Sequence, residues 1–140
     1  MLSVPKKLKF LKFQKGKAFN KVTSSRELRF GSMGIKALEA GRISSSQLFA
    51  LKQTLNKYIK KNGKIFLNIF PHTPITRKAV KVRMGKGKGS VDHYVYKVKP
   101  GTIICEIETK DTSLAEKALR QGRRKISLLT KLITELNNYA

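Results

Sequence analysis

The sequence predicts an α+β domain with an extended basic arm, and three observations predict it. Periodic segments run in the order strand, helix, several strands, helix, which favours antiparallel pairing over a doubly wound parallel sheet. Two apolar stripes at helical spacing each begin behind a capping signal. The first 26 residues hold eight cations and no acid, too little apolar surface to fold alone. With 140 residues and 40% hydrophobic content there is material for one modest core. The chain therefore divides into an arm, 1–27, and a domain, 28–140.

In the arm, Lys6, Lys7, Lys9, Lys12, Lys15, Lys17, Lys21 and Arg26 are interleaved with Phe10, Phe13 and Phe19. Such aromatics either stack on exposed bases or wedge into folded RNA, or else anchor the arm on the protein's own core. The arm should order against its partner. A transit peptide would also be basic and acid-free, but it would favour Arg and hydroxyl residues over Lys.

Leu28 to Leu38 reads as a strand, with Gly31 and Gly34 marking a bulge or the close approach of another backbone. Ser44-Ser45-Ser46-Gln47 opens a helix with a capping box. Leu48, Leu51, Leu55 and Ile59 form its stripe, and Lys60, Lys61 and Gly63 end it. Its other face, with Lys52, Lys57 and Lys60, serves equally well as a phosphate contact or as a hydrated surface. Lys64 to Phe70 reads as a strand stopped by Pro71, followed by a Pro74-containing loop to Arg77 and Lys78.

Ala79 to Arg83 and Val91 to Val98 then flank a glycine-lysine loop as a hairpin, and Pro100-Gly101 turns into a strand from Thr102 to Glu108 that forms a second hairpin with Val91–Val98. Thr112 or Ser113 opens the second helix, with Ser113 and Glu116 as a capping box. Leu114, Ala118 and Leu119 form its stripe, and Arg120, Arg123, Arg124 and Lys125 sit at its end. The segment 128–133 fits either period and stays unassigned.

Lys plus Arg total 31 against 8 Asp plus Glu, a net charge of +23. Self-repulsion on that scale calls for an extended polyanion as partner, most simply nucleic acid. No run approaches the roughly eighteen apolar residues of a spanning helix, so no membrane partner is expected. No homo-oligomer is expected either.

The loop Arg83-Met84-Gly85-Lys86-Gly87-Lys88-Gly89 combines bare backbone, free to take positive φ, with long cationic stems, a pairing suited to phosphate. Its glycines fall at every second position and a strand follows, which fits neither a P-loop nor a dinucleotide loop. A solvated hairpin tip is the plain alternative.

Cys105 shares a strand face with Ile103 and Ile107 and reads as a small buried hydrophobe. One cysteine and two separated histidines assemble neither a disulfide framework nor a metal site, and no cofactor is expected. His72 and His93 lack an accompanying nucleophile and acid, so no residue is assigned a catalytic role.

Two segments resemble a known family. Lys64-Ile-Phe-Leu-Asn-Ile-Phe-Pro-His-Thr-Pro-Ile-Thr-Arg-Lys78 and Val82-Arg-Met-Gly-Lys-Gly-Lys-Gly-Ser90 are similar to the two signature segments of the bacterial-type large ribosomal subunit protein sixteen family. Met1-Leu2, Pro5-Lys6, Lys9-Phe10 and Lys15-Gly16 resemble that family's arm. Arg29-Phe30-Gly31-Ser32-Met33-Gly34-Ile35-Lys36-Ala37 resembles its first strand, and Pro100-Gly101 its later turn. The likeness spans nearly the whole chain, and because the arm matches the mature family member it argues against a transit peptide. Departures are His72 where the family has Asp after Phe-Pro, Phe66 and Tyr94 in place of tryptophans, and many lysines in place of arginines.

The resemblance implies a compact fold with a hammerhead-like β arrangement and a non-enzymatic assembly role: binding large-subunit rRNA and organising the aminoacyl-tRNA site near the peptidyl-transferase centre. It implies rRNA contacts for the arm lysines Lys6, Lys7, Lys9, Lys12, Lys15, Lys17 and Lys21, and basic charge places Arg77, Lys78, Arg120, Arg123 and Arg124 beside them. It also implies proximity of the loop, Arg83 to Gly89, to A-site and P-site tRNA, with neighbouring large-subunit proteins as further partners. Lys-, Asn- and Ile-rich composition, the absence of a presequence and the divergence point to a mitochondrial member; a bacterial cytoplasmic or plastid member shares the same motifs. The competing readings are a free-standing RNA- or DNA-binding protein of an organelle nucleoid and a phosphotransferase. The first predicts no paired signature segments. The second lacks a helix after the glycines and carboxylates for magnesium, Asp92 standing almost alone nearby.

Overall fold

Nine elements succeed one another among the residues described by the structure, a computed structural model covering 4–17 and 27–134. They are β1 (Met33–Ala37), β2 (Gly41–Ser44), α1 (Ser45–Ile59), β3 (Gly63–Leu67), β4 (Thr73–Arg77), β5 (Ser90–Val98), β6 (Ile103–Thr109), α2 (Thr112–Arg123) and β7 (Thr130–Thr134). The strands pair antiparallel, in a four-stranded sheet of order β3-β6-β1-β7 and a three-stranded sheet of order β2-β5-β4. The α+β class read from the order of elements is the class adopted. Expectations placed on Phe19, Lys21 and Arg26 lie outside the described residues.

Helix α1 forms as its sequence asks. Ser44 Oγ accepts from the Gln47 amide at 3.2 Å while Gln47 Oε1 accepts from the Ser44 amide at 3.0 Å, so both halves of the capping box close. Leu48, Leu51, Leu55 and Ile59 are all buried and join Ile35, Ile107, Ala118 and Leu119 in one core. The helices meet closely at Gly122, where an added Cβ would stand 2.8 Å from Leu51 Cδ1 and 3.0 Å from Leu55 Cδ2. The end of α1 differs from expectation. Lys60 itself takes the left-handed step, φ 49°, with its amide donating to Asn56 O at 2.9 Å, while Gly63 opens β3, where a Cβ would collide with Glu108 O.

Six further expectations are corrected. The first strand runs only from Met33 to Ala37, because the amides of Arg29, Phe30 and Gly31 are taken by the Glu106 carboxylate instead of a ladder. Its glycines do mark close backbone approach: a Cβ at Gly31 would stand 2.6 Å from Ile107 O, and one at Gly34 2.8 Å from Cys105 O. The strand read over 64–70 ends at Leu67, after which Asn68 N donates once more to Ile104 O.

The partner of β5 in the glycine-loop hairpin is Thr73–Arg77, not Ala79–Arg83, which lies in the loop. Pro74, read as a loop signal, is admitted because β4 is an edge strand. No hairpin joins β5 to β6. The Pro100-Gly101 turn, with Gly101 at φ 85°, is captured by β1: Gly101 N donates to Ala37 O at 2.8 Å and Ala37 N to Thr102 O at 2.9 Å, which hands the chain to the other sheet.

Helix α2 is capped by Asp111, whose carboxylate accepts from Leu114 N at 3.1 Å and from Ser113 Oγ at 2.9 Å, so the Ser113 hydroxyl serves the cap without being it. Those two bonds hold the Asp111 carboxyl below the usual carboxylate range. The unassigned segment supplies β7, which pairs along the whole of β1.

Candidate nucleic-acid interface

Cations dominate this surface because few acids answer them. Among the described residues two ion pairs form, Lys64–Glu108 at 3.9 Å and Arg120–Glu116 at 2.7 Å, and His93 Nδ1 lies 2.8 Å from Asp92, all exposed. Exposed pairs of this kind stabilise weakly and neutralise little. Several of the other cations gather at two places.

The first is the long loop between β4 and β5. Arg83 to Lys88 are all exposed, Met84 at 94%. Gly85, Lys86 and Gly87 take φ of 106°, 51° and 81° in succession. Three consecutive left-handed residues turn the backbone in a way only glycine adopts freely, and Lys86 bears strain of about 1–2 kcal/mol there. No protein atom lies within 4 Å of a Cβ built at Gly85 or Gly87, so these glycines serve conformation and leave space open.

Gly89 is different. Its Cβ would stand 2.6 Å from Arg77 O and 2.8 Å from Arg77 C, at the point where β4 and β5 close. Gly89→Val is therefore expected to cost more stability than Gly87→Val. Backbone overlap costs about 1–3 kcal/mol on top of any conformational effect, and a left-handed valine alone costs about 1–2 kcal/mol. Thermal denaturation of the two variants side by side checks the order.

The arm lies alongside this loop. Lys12 Nζ donates to Lys88 O at 2.9 Å, Lys88 Nζ donates back to Phe13 O, and Lys78 Nζ reaches Gly85 O at 2.5 Å. Arg42 in β2 donates through Nη2 to Gly16 O at 2.5 Å and to Lys15 O at 3.4 Å. Lys6, Lys7, Lys9, Lys12, Lys15 and Lys17 are all exposed, with Lys9 Nζ 5.7 Å from the Phe10 ring centroid. Phe10 and Phe13 are 59% and 40% exposed, so neither anchors the arm in the core. The structure thus brings together arm residues 12–16, Lys78 and the loop, with Arg77 exposed at the loop's root. Lys21 lies outside the described residues.

The second place is an open cleft of about 570 Å³ lined by Glu116, Arg120, Arg123, Arg124, Lys131 and Leu132. It forms where the last turn of α2 meets β7. Lys131 was not singled out from the sequence because its segment had no assigned period. Arg42 was missed too; nothing in Gly41-Arg42-Ile43 shows that the arm returns to it.

Glu106 was missed for a clearer reason. Alternation with Cys105 turns it to the sheet face opposite Ile103 and Ile107, and it is fully buried there. Its Oε2 accepts from the amides of Arg29, Phe30 and Gly31 at 3.0, 2.7 and 3.0 Å, and its Oε1 from Asn68 Nδ2 at 2.5 Å. Burial pushes its pKa up, but these four donors together outweigh burial and leave it below the usual value. An acid inside an apolar run, in a chain with only 8 acids, is the signal that marks it.

The other candidate reactive groups are inert or exposed. Burial, with a smaller contribution from Glu106, pushes the Cys105 thiol up to about 12, against a weaker lowering by the Ile35 backbone, which leaves it protonated. His72 stands exposed, Nδ1 3.2 Å from Phe70 O and its ring edge-on to Tyr96; His93 is exposed beside Asp92. Among the described residues no three His, Cys, Asp or Glu side chains group as a metal site, and no helix is long and apolar enough to cross a membrane.

Comparison with known proteins places this geometry in context. Residues 4–133 match the family model for ribosomal protein L16p/L10e. The chain is 39% identical over 129 residues to the large ribosomal subunit protein uL16 of Cereibacter sphaeroides, covering 92% of this chain and 94% of that one. It is 42% identical over 130 residues to the large ribosomal subunit protein uL16 of Acinetobacter baylyi, covering 93% and 95%.

Proposed function

The chain belongs to the ribosomal protein L16p/L10e family, and from that premise we propose that its glycine-lysine loop reaches toward tRNA while the arm and the rest of the domain are footed on rRNA. The protein is a structural constituent of the large ribosomal subunit and works in association with its rRNA and proteins. The finer reading is that Lys6, Lys7, Lys9, Lys12, Lys15, Lys17, Lys21, Arg77, Lys78, Arg120, Arg123 and Arg124 neutralise rRNA phosphates. Arg83 to Gly89 then help to organise the aminoacyl-tRNA site, beside A-site and P-site tRNA.

The observation that carries this reading is the exposed loop with three successive left-handed residues, all its cations unpaired by acid among the described residues, held beside a lysine-rich strip of arm. The left-handed step at Lys86 is the kind of local strain that clusters at functional sites. Phosphates of folded RNA supply the missing counter-charge. The division into arm 1–27 and domain 28–140 follows the same logic, with arm residues 12–16 bonded to Lys88 and Arg42. The role is positioning, with peptide transfer left to RNA, since Cys105 is buried and protonated and both histidines stand without a nucleophile. Lys-, Asn- and Ile-rich composition favours a mitochondrial ribosome over a bacterial or plastid one.

Replacing Lys86 and Lys88 together by alanine tests the reading. The variant chain should still sediment with the large subunit but weaken tRNA accommodation on the particle, with the salt slope of tRNA binding falling by about one unit per cation lost. Failure of the unaltered chain to sediment with the large subunit would remove the ribosomal footing, and normal accommodation by the variant would return the loop to a solvated tip.

A further inference from the structure

We infer that Arg42 is a positioning residue that latches the arm onto the domain, so that arm and glycine loop meet RNA as one preformed surface. The inference rests on the proposed RNA-facing role of that surface and adds to it a residue that need not touch RNA at all.

The bonds form a continuous chain. Arg42 projects from β2, where it pairs with Lys97 of β5, and its guanidinium donates to the carbonyls of Lys15 and Gly16. Two to three residues earlier in the arm, Lys12 and Phe13 exchange bonds with Lys88 of the loop, and Gly85 of the loop is in turn held by Lys78. Gly16 takes φ 57°, and a Cβ there would stand 3.4 Å from Lys97 Nζ, so the arm bends sharply where Arg42 holds it.

The electrostatics explain why such a latch is needed. Arm and loop are both basic and repel one another, and no carboxylate bridges them among the described contacts. What joins them is cation-to-carbonyl hydrogen bonding, which satisfies backbone oxygens without neutralising charge. Arg42 is the best placed of these donors. It rises from a strand and one guanidinium donates to two successive carbonyls, whereas Lys12 and Lys88 each reach a single carbonyl from a long, freely rotating stem. A planar guanidinium loses less freedom per bond formed than a lysine stem does, so Arg42 holds the arm against like charge better than the lysine bonds alone. Once seated, the arm no longer has to be ordered when RNA arrives, which is how preorganisation raises affinity.

A residue that orders the arm and a residue that contacts phosphate leave different signatures. Arg42→Ala and, as a second route to the same release, Gly16→Val in the exposed arm are compared with the parent full-length chain. Backbone relaxation of the free proteins should show order parameters for residues 12–17 falling from rigid values toward about 0.6 or below, with amide shifts following at residues 85–88. Affinity for large-subunit rRNA transcribed in vitro should fall about tenfold in both variants, as loss of a charge-assisted bond predicts, while the salt slope stays that of the parent. Combining Arg42→Ala with Lys86→Ala and Lys88→Ala should give less than the sum of the separate effects, because the loop depends on the same latch.

The inference is overturned if loop resonances stay in place in both variants, or if Arg42→Ala lowers the salt slope by about one unit, which would make Arg42 a phosphate contact. The relaxation arm needs no RNA, so a parent chain that fails to bind rRNA would sink the proposed function and leave the latch still decided by its own measurement.

Discussion

Replacing Glu106 by alanine is expected to lower the unfolding free energy by about 3–5 kcal/mol. Four donors lose their acceptor together: the amides of Arg29, Phe30 and Gly31 and the Asn68 side chain. Gly31 N is buried, and its chain cannot back away because the backbone of Ile107 lies against it. Glu106→Gln keeps one oxygen for the three amides and needs only the Asn68 amide to turn over, so it should recover more than half of the loss.

The pH dependence follows from the direction of the shift. The folded carboxyl titrates below its ordinary value of 4.5, so its contribution is complete above about that pH and fades as pH falls through the lower folded value. Urea denaturation at pH 7 and pH 3 checks both points. The parent should lose stability on acidification that the alanine variant, lacking the group, does not lose through it. A loss below about 1 kcal/mol at pH 7 would mean that water replaces the carboxylate without cost.

Glu106 also shows where sequence legibility ends. The stripe Leu48, Leu51, Leu55, Ile59 and the Ser44–Gln47 box are local patterns, and α1 follows from them because each residue needed lies within one or two turns. The core strand around Cys105 was equally plain from its apolar run. What the sequence hid depends on partners far along the chain.

Strand β4 carries a proline that is acceptable only because nothing pairs on its outer side, and edge position is a property of the whole sheet. The segment that becomes β7 is decided by β1, nearly a hundred residues upstream in order of synthesis. The Pro100-Gly101 turn was recognised as a turn, yet its direction is set by Ala37, which captures it for the other sheet. At the interface the cationic loop was legible from composition, while the bonds that seat the arm on it join residues 75 and 76 positions apart and leave no periodic trace.

The second large effect belongs to the cleft between α2 and β7. Removing Arg120, Arg123 and Arg124 together by alanine is expected to lower occupancy of the chain on the large subunit, and to reduce the salt slope of rRNA binding by about three units if each cation meets one phosphate. All three are exposed, and Arg120 and Arg123 lie in the last turn of α2, where cations also favour the helix end. The fold should therefore lose only about 0.3–1 kcal/mol per residue from the helix itself. Circular dichroism of the variant separates lost binding from lost structure.

The cleft contains its own control. Arg120 is already engaged by Glu116 at 2.7 Å, so Glu116→Gln frees a guanidinium and removes a repelling carboxylate at once. That change should raise rRNA affinity and steepen the salt slope, the opposite sign from the arginine losses, with little effect on stability because an exposed pair contributes at most about 1 kcal/mol. Lys131→Ala should act in the same direction as the arginine changes, since Lys131 lines the same cleft from β7. If the triple variant sediments with the large subunit as the parent does, and Glu116→Gln leaves the salt slope where it was, then this cleft faces solvent on the particle and the footing on rRNA must come from the arm and from the root of the loop at Arg77 and Lys78.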